Sequence, residues 1–154
     1  MNDNIDDLLQ PSLGSEAGRE TSIYSTTTGY MSAFFGGPLA TAGIALMNSY
    51  RLKRLGTDWP LGLAALALTL GILWWEVRGG GQEWLIAHLG RKGPSLVTSF
   101  AGLATFGVIY AVHRKYYRNM ELIGLKAPSG WLPGIAAIVL GAAAWAALAK
   151  VLAP

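Results

Sequence analysis

The stretch FFGGPLATAGIALMNSYRLKRLG, residues 34–56, opens on two aromatics, two glycines and a proline and continues as apolar residues to Asn48. It closes on three basic residues, Arg51, Lys53 and Arg54. Glycine and proline are the weakest helix formers, yet Gly36, Gly37 and Pro38 stand inside the first long apolar segment. Around them Gly29, Ala33, Gly37, Thr41 and Ala45 recur every four residues. On a helix this spacing makes one face of small side chains, against which another helix packs closely. Pro38 has no N–H to donate and frees the carbonyl of Phe34, which bends the helix. At membrane depth such a break is tolerated only where protein or water satisfies the freed carbonyl. The structural reading is a fixed kink at a tight helix crossing. The functional reading is a hinge or a break lining a cavity.

The rest of the chain makes the membrane setting plain. Charged residues are 14% of the 154, against about a quarter in ordinary soluble domains. None of them falls in residues 29–50, 59–75, 95–112 or 131–149, windows of 22, 17, 18 and 19 residues. At about 1.5 Å rise per residue, windows of this length approach or exceed the ~30 Å hydrocarbon core. The second reaches Val77 if Glu76 is carried to the interface. A soluble bundle needs a polar stripe on each helix, and the second and fourth windows have none. The expected fold is an all-α membrane protein of four transmembrane helices, arranged as two antiparallel hairpins. Its spans lie at about 29–50, 59–77, 95–112 and 131–153. Residues 1–28 read as a polar, acidic, flexible tail without the basic and apolar regions of a signal peptide. The segment QEWLIAHLG, 82–90, places Trp84, Leu85, His88 and Leu89 on one helical face, as an interfacial helix does.

Two short basic loops, Arg51–Asp58 and His113–Gly130, hold seven of the twelve Lys and Arg residues. Positive residues concentrate on the cytoplasmic side, so these loops are expected inside and both termini outside. Arg51, Lys53, Arg54, Arg114, Lys115 and Arg118 are then positioned to meet lipid headgroups.

The two halves also resemble each other. Leu39–Gly43 (LATAG) recurs as Leu103–Gly107 (LATFG), each after Phe-x-Gly, and WPLGLAALAL from Trp59 matches WLPGIAAIVL from Trp131. Two helices per half imply a parallel duplication about an axis along the membrane normal. Similarity by shared Leu, Ala and Gly composition is the alternative.

Chemistry is sparse. There is no cysteine, HExxH or G-x-S-x-G elbow. Glu76, Glu83, His88 and His113 fall at or beyond span boundaries. Asn48, Thr69, Ser99 and Thr105 read as interhelical or backbone hydrogen-bonders. No catalytic residue, metal site or cofactor is expected, and the basic balance points to membrane anchoring rather than nucleic acid.

Tyr24-Ser25, FFGGPLA (Phe34–Ala40), Asn48, Arg51, Leu52, Arg54 and Leu55 together resemble a pattern found in a family of small, uncharacterised bacterial multi-pass membrane proteins. The resemblance covers about a third of the chain and implies a bacterial inner-membrane location, with no activity to transfer. Two functions remain in view. One is a non-enzymatic membrane protein working through helix–helix or protein–protein contact, as an accessory subunit or an immunity-type protein against a membrane-active toxin. Its partner would be a membrane or secreted protein, or a second copy. The other is a small channel or transporter using the break at Gly36-Gly37-Pro38.

Overall fold

Each apolar window forms a helix, and no strand occurs among the described residues. The structure, a computed structural model, describes residues 23–123 and 127–152. In chain order the elements are α1 (Thr26–Arg51), α2 (Leu55–Arg78), α3 (Gly81–Leu89), α4 (Gly93–Ile123) and α5 (Trp131–Leu152). By total length and composition alone, all but α3 qualify as candidate membrane spans. The acidic tail expected over residues 1–28 lies, up to residue 22, outside the described residues. Its remainder is structured: Ile23 and Tyr24 are buried, and Ser25 caps α1 by accepting a hydrogen bond from the Thr28 N–H.

α1 does not run straight. Gly37 has φ 68° and ψ −162°, far from helical values, and the chain reverses there. The Tyr24 N–H donates to Asn48 Oδ1 at 2.8 Å, and the Arg51 guanidinium lies 5.1 Å from the centre of the Tyr24 ring. A continuous helix would separate residues 24 and 48 by about 36 Å. The two arms, 26–36 and 38–51, therefore lie side by side as a helical hairpin. They rise about 16 and 21 Å, too short to cross a ~30 Å core. The segment expected to be the first span is a re-entrant hairpin, with both ends at one face of the bundle and its tip at Gly37. A residue before proline is disfavoured in the helical region, and glycine alone enters the φ > 0 region at no steric cost. Gly37-Pro38 therefore turns the chain back where proline alone would bend it.

The other three long helices surround this hairpin. α4 and α5 both pack chiefly on α1, and α2 packs on arm 38–51 with Gly62 against Leu46. Gly102 of α4 meets Ala33 and Gly37, and Phe106 meets Gly29, so α4 runs antiparallel to arm 26–36. Gly130 and Gly134 meet Thr28, while Gly141 meets Gly36 and Ala40, so α5 runs parallel to that arm.

Two expectations change as a result. The α1–α2 pair packs closely, but α4 and α5 make no substantial contact with each other, because the hairpin lies between them. The halves are therefore not packed alike, and the internal duplication is not reproduced in three dimensions. The ends of the described chain also lie at opposite faces. Ile23 sits at the hairpin base beside α2's start, whereas the Leu152 carbonyl accepts from Arg78 at α2's far end. The expectation of both termini on one side rested on four crossings. A first helix that folds back on itself, followed by three long helices, puts these ends at opposite faces.

The boundaries of the remaining elements follow local chemistry. Arg51 to Arg54 form a Schellman turn, with Arg54 N–H bonded to Ser49 O and Lys53 N–H to Tyr50 O. Lys53 takes the left-handed position, φ 55°. Glycines with positive φ, Gly80 and Gly90, flank α3. Of α3's expected apolar face only Leu85 is buried, against Gly93, while Trp84 stacks on His88 at 4.4 Å. α4 continues past the expected end at 112 to Ile123. Arg114, Lys115 and Arg118 are good helix formers and sustain the helix past that point.

Candidate functional site

The hairpin divides the expected small-residue ladder between its two arms, with Gly37 at the tip. Gly29, Ala33, Gly37, Thr41 and Ala45 are all buried. Gly36 and Gly37 face different neighbours: a Cβ on Gly37 would sit 2.7 Å from Thr98 Cγ2 of α4, and one on Gly36 would meet the Ile138 backbone of α5 at 3.1 Å. On α4, a Cβ at Gly102 would collide with the Ala33 carbonyl oxygen and come within 2.9 Å of Gly37 Cα. Two backbones therefore touch at this crossing. The glycine pair lets one buried turn be approached from two sides.

The carbonyls at the turn are satisfied. The Ser99 hydroxyl of α4 donates to Phe34 O at 2.8 Å, the carbonyl that Pro38 leaves without its helical donor. The Thr41 hydroxyl donates to Gly37 O at 2.8 Å. Thr69 and Thr105 hydroxyls donate to the carbonyls four residues earlier, both at 2.8 Å. Ser99→Ala leaves the Phe34 carbonyl, which lies on an exposed part of the fold, without a donor where lipid offers none, and is expected to cost about 1–3 kcal/mol. Thermal unfolding in mild detergent measures it, with Thr105→Ala, which touches only its own helix, as the milder control.

A second constellation lies at the hairpin base and was not anticipated. His113 Nε2 and Asp58 Oδ2 are 2.9 Å apart, and both side chains are almost fully buried. Arg54 Nη2 lies 3.8 Å from the other Asp58 oxygen. Arg54 also donates to the Tyr116 hydroxyl, with its guanidinium 5.1 Å from the ring centre. The Ser49 side chain adjoins the Asp58 carboxylate. Alongside, Asn48 Nδ2 donates to the Tyr117 hydroxyl at 3.3 Å while its Oδ1 holds Tyr24. Tyr117 stacks on Tyr110 at 5.4 Å. Asn48 thus clamps both arms to α4, and Asp58 ties α2 to α4 beside it.

Each position has a local cause. Asp58 occupies α2's first turn, where the helix dipole favours a carboxylate. A buried charge is tolerated only when paired, and α4's extension past residue 112 supplies His113. The sequence signal was the exchange of polar residues at two window edges, 48–58 and 110–117. The periodicity did not say that these edges face each other.

The constellation lacks the geometry of hydrolytic chemistry. His113 bonds Asp58, and its Nδ1 makes no hydrogen bond, so no histidine-to-serine contact exists to activate Ser49. No group of three or more His, Cys, Asp or Glu able to hold a metal occurs among the described residues.

The six residues expected to meet headgroups divide. Arg114, Lys115 and Arg118 are exposed on α4, and Lys53 is exposed in the turn. Arg51 and Arg54 are half-buried and lie over tyrosine rings, keeping their charge at the same face of the bundle. Lys126, at the end of the second basic loop, lies outside the described residues. Glu76 is buried at the opposite end of α2, with Oε1 unpartnered, rather than lying out at the interface.

A cavity of about 530 Å³ lies beside the contact between arm 26–36 and the start of α5. Met31, Phe35, Trp131, Ile135 and Ile138 line it, and Ser25, Thr27, Thr28 and Ser129 line its end at the hairpin base.

No family model, curated protein or solved structure matches the chain.

Proposed function

We propose that this is a non-enzymatic integral membrane protein that acts by helix–helix association, with α5 as the docking element. The carrying observation is the outward face of α5. Ala136, Ala143 and Ala147 are exposed on one apolar face that also carries the exposed Leu140, opposite the buried Gly134 and Gly141 that meet the hairpin. Small side chains let a second helix approach closely within the bilayer. The partner is a membrane-embedded helix, supplied by a complex to which this chain is an accessory, by a membrane-active toxin, or by a second copy. A bacterial inner-membrane setting accords with the resemblance noted for Tyr24-Ser25, FFGGPLA and Asn48.

The packing at the tip supports this reading over a channel or transporter opening at Gly36-Gly37-Pro38. Opening would break the Ser99–Phe34 hydrogen bond and part the touching backbones of α1 and α4. With the basic face cytoplasmic, Ile23 enters from the cytoplasm and Leu152 lies at the outer face. The hairpin dips into the inner leaflet.

Cysteine is absent from the chain, so single-cysteine cross-linking is direct. Ala143→Cys at native expression is expected to capture one stoichiometric membrane protein, whose mass tells a second copy from another partner. Leu63→Cys, exposed on α2, serves as the control. Capture at Ala143 no greater than at Leu63 overturns the proposal.

A further inference from the structure

From the cavity beside arm 26–36 we infer a binding site for one anionic phospholipid, with an acyl chain in the groove and its headgroup at the hydroxyl-lined end. Depth is the first argument. From Ser25 at the hairpin base to Phe35 near the tip, arm 26–36 rises about 15 Å, half of a ~30 Å hydrocarbon core. The groove therefore matches one leaflet. A transmembrane helix from a partner would need the full thickness and would extend well past the groove's end.

Lining is the second argument. Met31, Phe35, Ile135 and Ile138 line the groove with apolar surface, and the hydroxyl residues among its lining, Ser25, Thr27, Thr28 and Ser129, all belong to the end at the hairpin base. That is the polarity of a lipid, wet at one end and apolar along its length. Its volume, about 530 Å³, lies within the ~300–1,000 Å³ of small-molecule sites.

Charge is the third argument. That end lies at the basic face. Tyr24, the residue before Ser25, carries Arg51 on its ring, and Lys53 and Arg54 follow in the adjoining turn. Basic side chains at a membrane surface attract anionic headgroups. Trp131, on the groove's wall, sits at headgroup level, where amphipathic rings gather.

This inference is independent of α5's outward alanine face, because the groove lies on α5's other flank. The test uses the full chain in mild detergent, given equal amounts of phosphatidylglycerol and phosphatidylcholine with identical chains and read by native mass spectrometry. One phosphatidylglycerol should be retained per chain, in preference to phosphatidylcholine. Arg51→Gln should lower that preference about fivefold, the share of one basic residue near a surface. Ile135→Trp fills the groove from its exposed wall and should remove the bound lipid without lowering the unfolding temperature. Equal retention of the two lipids, or retention unchanged by Ile135→Trp, overturns the site. So does Ile135→Cys cross-linking to a protein or a second copy, which would mean that another occupant fills the groove.

Discussion

Gly102→Leu is expected to abolish folding of the bundle, or to destabilise it by about 3 kcal/mol or more, beyond the usual cost of overpacking a core. Gly102 is where α4 crosses the hairpin tip. A Cβ there runs into the Ala33 carbonyl oxygen and the Gly37 Cα, both backbone atoms, so no rotamer change relieves the contact. Gly37→Leu should be similarly severe for two reasons. Its side chain would strike Thr98 at 2.7 Å, and its φ of 68° is unfavourable to a residue with a Cβ by roughly 1–2 kcal/mol. Gly107, whose Cβ meets nothing within 4 Å, provides the control. Gly107→Leu should leave the unfolding temperature nearly unchanged. Comparable stabilities for the Gly102 and Gly107 variants would contradict the close crossing.

Asp58→Ala is expected to be the most damaging change outside the glycines. Removing one partner of a buried pair strands the other, at a cost of about 3–5 kcal/mol. Here it strands His113, almost fully buried, and takes from Arg54 its carboxylate neighbour. Asp58→Asn keeps a hydrogen-bonding group beside His113 Nε2 and should cost distinctly less. His113→Ala leaves the carboxylate buried, yet Arg54 lies 3.8 Å away and offsets part of the charge. The double variant, Asp58→Leu with His113→Leu, removes both polar groups and should recover much of the stability lost in Asp58→Ala. Adding the double variant Asp58→Ala with His113→Ala closes a cycle with the two alanine variants, and unfolding in mild detergent then measures the coupling. Additive losses would mean that the two side chains do not act as a pair.

α2, α4 and α5 were legible because membrane insertion is governed by length and charge, both visible along the chain. The small-residue ladder was legible for a related reason: close backbone approach requires residues without bulk. The reversal at Gly37 was not. Residues 29–50 have the length and apolarity of a full crossing, and Pro38 alone implies only a bend. The decisive quantity is one backbone dihedral, which the sequence permits through Gly37-Pro38 but does not dictate. In retrospect the quoted pattern holds the missing clue. Tyr24, Asn48 and FFGGPLA are the two ends and the tip of one hairpin, and Asn48 is polar because it clamps the ends. The Asp58–His113 pair was obscured for a different reason. Each residue stands at a window edge, where charge is ordinary, and only packing turns them toward each other. With the first window folded back, the face reached by Ile23 changed too, and the expected topology changed with it.

The re-entrant hairpin is the claim from which the rest follows, and one distance tests it. Thr27 and Tyr50 are both exposed, and the chain has no native cysteine, so cysteines at these two positions take spin labels cleanly. In lipid bilayers, pulsed electron paramagnetic resonance should give a separation below about 20 Å if the arms lie side by side. A separation near 35 Å, that of a straight helix rising ~1.5 Å per residue, would contradict the hairpin and return the segment to a full membrane crossing.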